Sequence, residues 1–80
     1  GLSVRDVVGK AIKSNASAVV LAHNHPGGVA LPSPQDVTVT KMLKEALDTI
    51  SVQLLDHVII STEDYTSMAL SKEFSNIFEA

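Results

Sequence analysis

Ala18-Val19-Val20-Leu21-Ala22-His23-Asn24-His25-Pro26-Gly27-Gly28-Val29-Ala30-Leu31-Pro32-Ser33-Pro34-Gln35-Asp36 presents a strand, two imidazoles, a loop and a helix start in direct succession. The run 18–22 is unbroken, apolar and too short for a helix, which predicts a strand buried on both faces, as in a parallel or mixed sheet. His23 and His25 stand two residues apart, so an extended backbone sets both side chains on one face. They lie at the C-terminal end of that strand, where open α/β sheets place their ligands. Pro26, Gly27, Gly28 and Pro32 break regular structure, so 24–32 is read as a loop. Ser33 then caps a second helix, with Pro34 at the position where a missing N–H costs little. Asp36 falls in its first turn, close to the same strand end.

Outward from this stretch the pattern is simple. Val4, Val7, Val8, Ala11 and Ile12 recur at helical spacing, which predicts a helix over 4–14 with Ser3 and Asp6 at capping-box spacing. Asn15 suits a left-handed residue at its end. The second helix presents Val39, Met42, Leu43, Ala46, Leu47 and Ile50 as its apolar face. Residues 52–60 predict a second strand, and Ser61 to Asp64 a polar turn. Tyr65 to Met68 reads as a short third strand or as the lead into a terminal helix near 68–78, with Phe74, Ile77 and Phe78 on its apolar side. Strand, crossover helix, strand is a right-handed unit joining parallel strands. The fold class is therefore α/β.

The 80 residues allow a single small domain, residues 1–80. There is no cysteine, so neither disulfides nor thiolate metal sites contribute. The composition is 45% hydrophobic, and the mean hydropathy of +0.22 is high for so small a domain. That predicts a piece of a larger domain, or a surface meant for another subunit, and hence a homo-oligomer. The net charge is −3, and only Arg5, Lys10 and Lys13 could form a small basic stripe, so direct nucleic-acid binding has no support. No apolar run is long enough to span a bilayer and no signal-peptide pattern is visible, which predicts a cytoplasmic protein without a membrane partner.

Two imidazoles and one carboxylate form a common ligand set for a catalytic zinc, which keeps a fourth position open for water. His23, His25 and Asp36 are the candidate ligands, with the Ser33 hydroxyl beside them. Each has a plainer explanation. Ser33 and Asp36 make a capping box, His23 can be a strand-end residue bonded to backbone, and His25 precedes a proline in a turn. Their concentration within fourteen residues favours the site. Capping and ligation also coexist, since one carboxylate oxygen can accept an N–H while the other binds metal.

His-x-His-Pro, six further residues, Ser, two residues, Asp, running from His23 to Asp36, resembles the JAMM (MPN-plus) zinc metalloprotease motif. Ser3-Val4-Arg5-Asp6, Ala11, Asn15-Ala16-Ser17-Ala18, Ala22-His23-Asn24-His25-Pro26 and Leu54-Leu55-Asp56-His57-Val58-Ile59-Ile60 narrow the resemblance to the RadC family, bacterial proteins traditionally labelled as DNA-repair factors. The similarity runs from about residue 2 to 70, with Gly27 where the family usually has Ser. It implies a three-layer α/β/α JAMM-type (cytidine-deaminase-like) domain with a mixed sheet, here without its N-terminal part. It implies zinc held by His23, His25 and Asp36, with Ser33 bonding the zinc water or an oxyanion. It also implies hydrolysis of an amide in a peptide or isopeptide substrate.

The family's general-base glutamate lies on an upstream strand, before the helix at 4–14, and Glu45, Glu63 and Glu73 sit in the wrong elements to replace it. This chain alone is therefore expected to bind metal and to lack turnover. The rivals are a non-catalytic protein-interaction module, favoured by the missing glutamate, and a DNA-repair-associated factor, disfavoured by the acidic charge. Zinc deaminase chemistry is disfavoured because its His-x-Glu and Cys-x-x-Cys ligands are absent. His57, beside Asp56 on the second strand, is read first as a histidine bonded to neighbouring backbone and second as an orienting partner near the metal.

Overall fold

The computed structural model describes residues 3–79. Helix α1 spans Val4–Lys13 and begins at Ser3, whose Oγ accepts the Asp6 N–H at 3.3 Å. Just beyond its C-cap, Asn15 takes the left-handed conformation expected of it, with φ of 53°. Strand β1 covers Ala18–Asn24, helix α2 Pro34–Thr49, strand β2 Gln53–Ile60 and strand β3 Tyr65–Ser67. The sheet order is β1-β2-β3, with β1 and β2 parallel and β3 antiparallel to β2. Two helices on a mixed three-stranded sheet make the molecule a small α/β structure of the kind expected.

Residues 68–78 differ from the expectation. In place of a helix they form turns that end in one 3₁₀ turn, Ser75–Phe78. Phe74, Ile77 and Phe78 all pack on buried residues. That packing sets the path of a segment too short and too serine-rich to hold a helix by itself.

Helices α1 and α2 share one face of the sheet. Ala11 from α1, Leu43 and Leu47 from α2, and Leu21, Val52 and Leu54 form a core with Val4, Val7, Val8 and Val19 packed against it. A second cluster of Ala30, Ile59 and Met68 lies under Val37, Phe74 and Ile77. The opposite face of the sheet is covered by no described helix. Val20 is 57% exposed, and Leu55 is exposed beside it. The expectation that 18–22 is buried on both faces is thus corrected. Only Val19, Leu21 and His23 turn toward the helices, while Ala18, Val20 and Ala22 face outward. Continuous apolar composition marks a strand suited to cover on both faces, and the described helices cover one. Ile12 and Met42, placed on apolar helix faces by periodicity, are exposed as well. None of the described helices is long and apolar enough to cross a membrane.

One irregularity sets which β2 side chains face the helices. Val19 pairs with Leu54 but Val20 pairs with Asp56, so Leu55 is an extra residue in β2. Strict alternation from Leu54 would turn Asp56 and Val58 inward. The bulge shifts the phase, so that Leu54, His57 and Ile59 are all fully buried on the helix side.

Candidate metal centre

The site forms where the end of β1 meets the start of α2. His23 lies on the helix-facing side of β1, in line with Leu21. His25 follows just past the strand and is fixed by its backbone, whose N–H donates to the Ile60 carbonyl at 2.7 Å. The chain then turns through Gly27, whose φ of 98° suits glycine alone. The Gly27 carbonyl accepts from the Thr62 hydroxyl at 3.0 Å, which ties the loop to the β2–β3 turn. The loop returns to Ser33, the N-cap of α2. Here the capping box is complete: Ser33 Oγ accepts the Asp36 N–H at 3.0 Å, and Asp36 Oδ2 accepts the Ser33 N–H at 2.7 Å.

That cap aims the Asp36 carboxylate at the two imidazoles. His25 Nε2 is 2.9 Å from Oδ2, and His23 Nε2 is 3.3 Å from Oδ1. One ligand atom each from His23, His25 and Asp36 lies within 4.8 Å of the others. Two ligands about 2.0–2.1 Å from a tetrahedral ion stand about 3.3 Å apart, so the cluster has the dimensions of a metal site. All three side chains are partly exposed, which gives an ion and a further ligand access from solvent. The cap engages Oδ2 and not Oδ1, which leaves the Asp36 carboxylate a second oxygen that could face a cation. Nitrogen, nitrogen and carboxylate oxygen are also a donor set suited to a divalent transition ion.

Burial pushes the Asp36 carboxyl up, but the Ser33 backbone N–H, the Ser33 hydroxyl and the two imidazoles outweigh it and hold the group below the usual carboxylate range. The side chain is therefore ionised at neutral pH. Ser33 Oγ accepts the Asp36 N–H, and a hydroxyl that accepts still has a proton to donate at the rim, to the carboxylate or to another acceptor. Among the described residues, Glu45, Glu63, Glu73 and Glu79 make no hydrogen bond or ion pair with the cluster; all four are exposed.

Behind the cluster stand two residues that matter more than sequence reading suggested. Thr40 and His57 are both fully buried, between the two apolar clusters. His57 Nε2 lies 2.8 Å from His23 Nδ1, and His57 Nδ1 lies 2.7 Å from Thr40 Oγ1. The ring of His57 meets side chains, not the neighbouring backbone that was its first expected partner. Burial pushes its pKa down, helped by the nearby His23, against the smaller pull of Asp36 and Asp56. Its neighbour Asp56 points the other way, as expected from alternation. Asp56 accepts from the Ser67 hydroxyl at 2.5 Å and from the Ala69 N–H at 2.9 Å, anchoring the end of β3. Thr40 is not apolar, so apolar periodicity does not select it. Its spacing was the available signal: Asp36, Thr40, Leu43 and Leu47 share one helical stripe.

Comparison with known proteins covers most of the chain. The family model for the RadC-like JAB domain matches residues 1–73. A UPF0758 protein of Marinobacter nauticus is 48% identical over 65 residues, which is 81% of this chain and 29% of that protein. A UPF0758 protein of Pseudomonas fluorescens is 51% identical over 65 residues, again 81% of this chain and 29% of the relative. One from Marinomonas is 52% identical over 56 residues, 70% of this chain and 25% of the relative. The chain thus spans little more than a quarter of the length of these relatives.

Proposed function

The chain belongs to the RadC-like JAB domain family, and on that premise we propose that it holds a zinc ion with His23, His25 and Asp36 and forms the metal-binding part of an amide-hydrolysing site. Convergence of the three ligand atoms within 4.8 Å carries this proposal. Zinc bound there would lower the pKa of a water molecule and polarise a scissile carbonyl.

The chain's own residues have distinct tasks. Asp36 keeps its charge at neutral pH because the Ser33 N–H is bonded to Oδ2. His23 and His25 each present Nε2 toward that carboxylate. Ser33 offers its hydroxyl proton to the oxyanion that forms when a carbonyl is attacked, while its oxygen stays fixed by the Asp36 N–H. The group that takes the proton from water is assigned, on the family resemblance, to a glutamate outside these 80 residues. A peptide or isopeptide is the proposed substrate, and these 80 residues alone are proposed to be inactive. The bare apolar sheet face bearing Val20 and Leu55 is the proposed contact of a homo-oligomer.

The test is metal analysis of the purified chain after zinc loading and desalting, alongside His23→Ala and His25→Ala. One zinc per chain, lost in both variants, is expected. A folded wild-type chain that retains no zinc in chelator-free buffer would overturn the proposal.

A further inference from the structure

The contacts behind His23 determine where its proton sits. Thr40 Oγ1 lies 2.6 Å from the Asp36 carbonyl oxygen and 2.7 Å from His57 Nδ1. A hydroxyl has one proton, and a carbonyl can only accept. The Thr40 proton therefore goes to the Asp36 carbonyl, and Thr40 Oγ1 accepts from His57 Nδ1–H. The reverse assignment would leave two oxygens 2.6 Å apart with no proton between them. Met68 Sδ, at 3.8 Å, is too weak an acceptor to redirect the hydroxyl.

The same accounting continues outward. His57 is fully buried and its ring nitrogens contact only Thr40 and His23, with no carboxylate to support a second proton. Its Nε2 is then a lone pair, 2.8 Å from His23 Nδ1. His23 must carry its proton on Nδ1 to bridge that gap. Its Nε2 is left as a lone pair, 3.3 Å from Asp36 Oδ1, in the place where a cation belongs.

We propose that Thr40 and His57 are positioning residues that lock His23 in the Nδ1–H form, so that Nε2 is its only free ligand atom. Both residues act through His23 and touch neither metal nor substrate. The chain of bonds starts at the main-chain carbonyl of Asp36 itself and passes through Thr40 one turn on, so α2 supplies one ligand directly and orients another through β2. As a ligand-orienting device it rests on the metal-binding proposal above, but the tautomer itself is a property of the chain without metal.

The experiment has two arms. Ring-nitrogen NMR of the ¹⁵N-histidine chain in chelator is expected to show His23 protonated on Nδ1 and bare on Nε2, and His57 likewise. A proton on Nε2 of His23 would overturn the proposal. The second arm measures zinc affinity by chelator competition in Thr40→Val, Thr40→Ser and His57→Gln. The valine keeps the shape of threonine but cannot accept from His57, and is expected to weaken zinc binding about tenfold or more. The serine restores the acceptor and is expected to bind within about threefold of wild type, as partial rescue by the conservative change requires. Wild-type affinity in folded Thr40→Val and His57→Gln would overturn the positioning role while leaving the metal site intact. Should the wild-type chain bind no zinc, the metal-binding proposal fails and the NMR arm still decides the tautomer.

Discussion

The chain writes Ser-x-x-Asp at the start of both helices, at Ser3–Asp6 and at Ser33–Asp36. The first makes a single exposed bond, Asp6 N–H to Ser3 Oγ at 3.3 Å, and no return bond from the Asp6 carboxylate appears among the described residues. The second makes both bonds, at 3.0 and 2.7 Å, and is partly buried. Its carboxylate also faces His23 and His25. The local motif is the same and its surroundings are not. At α1 the cap ends in solvent. At α2 it abuts the C-terminal end of a parallel strand, where a carboxylate already oriented by one N–H needs no further ordering to face two imidazoles. Capping thus orients the carboxylate of the candidate site in advance.

The largest expected effect separates the two aspartates. Asp36→Asn keeps an oxygen to accept the Ser33 N–H but removes the charge. Zinc affinity should fall beyond the roughly 10–100-fold loss typical of an outer partner, while the urea midpoint of the metal-free chain falls only modestly at neutral pH, by the stabilisation that the ionised carboxylate contributes. Asp6→Asn should leave zinc affinity unchanged. Equal losses in the two variants, by chelator competition, would erase the difference between the two caps.

The two serines come next. Ser33→Ala removes a partly buried half of a reciprocal cap and should cost about 1–2 kcal/mol of stability, against about 0.5 kcal/mol for Ser3→Ala. Urea denaturation of the metal-free proteins measures both. A Ser3→Ala cost equal to that of Ser33→Ala would mean that the exposed cap is as strong as the partly buried one.

The pH dependence sharpens the difference further. Asp36 is held below the usual carboxylate range, so its contribution to stability is complete above the unfolded-state value, about 3.9, and is lost as pH falls through the lower folded-state value. In chelator, the stability difference between wild type and Asp36→Asn should therefore be constant near pH 6 and shrink from about pH 4 downward. A difference that grows on acidification would contradict the sign. His57 works at higher pH. Its burial lowers the folded-state pKa, so the metal-free chain should lose stability as pH drops below about 6.5, by at most about 1.4 kcal/mol per pH unit. His57→Gln should flatten that slope in urea titrations compared at pH 7.5 and 5.5.

Much of this molecule was legible from residue order alone. The strand at 18–22, which the structure extends to Asn24 at the expense of the expected loop, the capped helix from Pro34, the parallel β-α-β unit and the His23, His25 and Asp36 cluster follow from short-range rules of periodicity, capping and breakers, which act within a few residues. The bare outer face of the sheet was not legible, because composition records what a strand can bury and not what is present to cover it. The segment after Ser67 has the local pattern of a terminal helix near 68–78, but packing of Phe74, Ile77 and Phe78 overrides that weak local preference.

The residue order by itself determined the candidate ligands and the elements that bear them, since spacing on a strand and in a first helical turn follows from local backbone geometry. Only the tertiary structure decided what stands behind them. The extra residue Leu55 shifts the phase of β2 and turns His57 inward against His23, and the stripe of α2 brings Thr40 to its other side. A bulge is a property of two paired strands, and a proton's position depends on every partner in a chain of hydrogen bonds. Neither exists until segments distant in sequence are packed together.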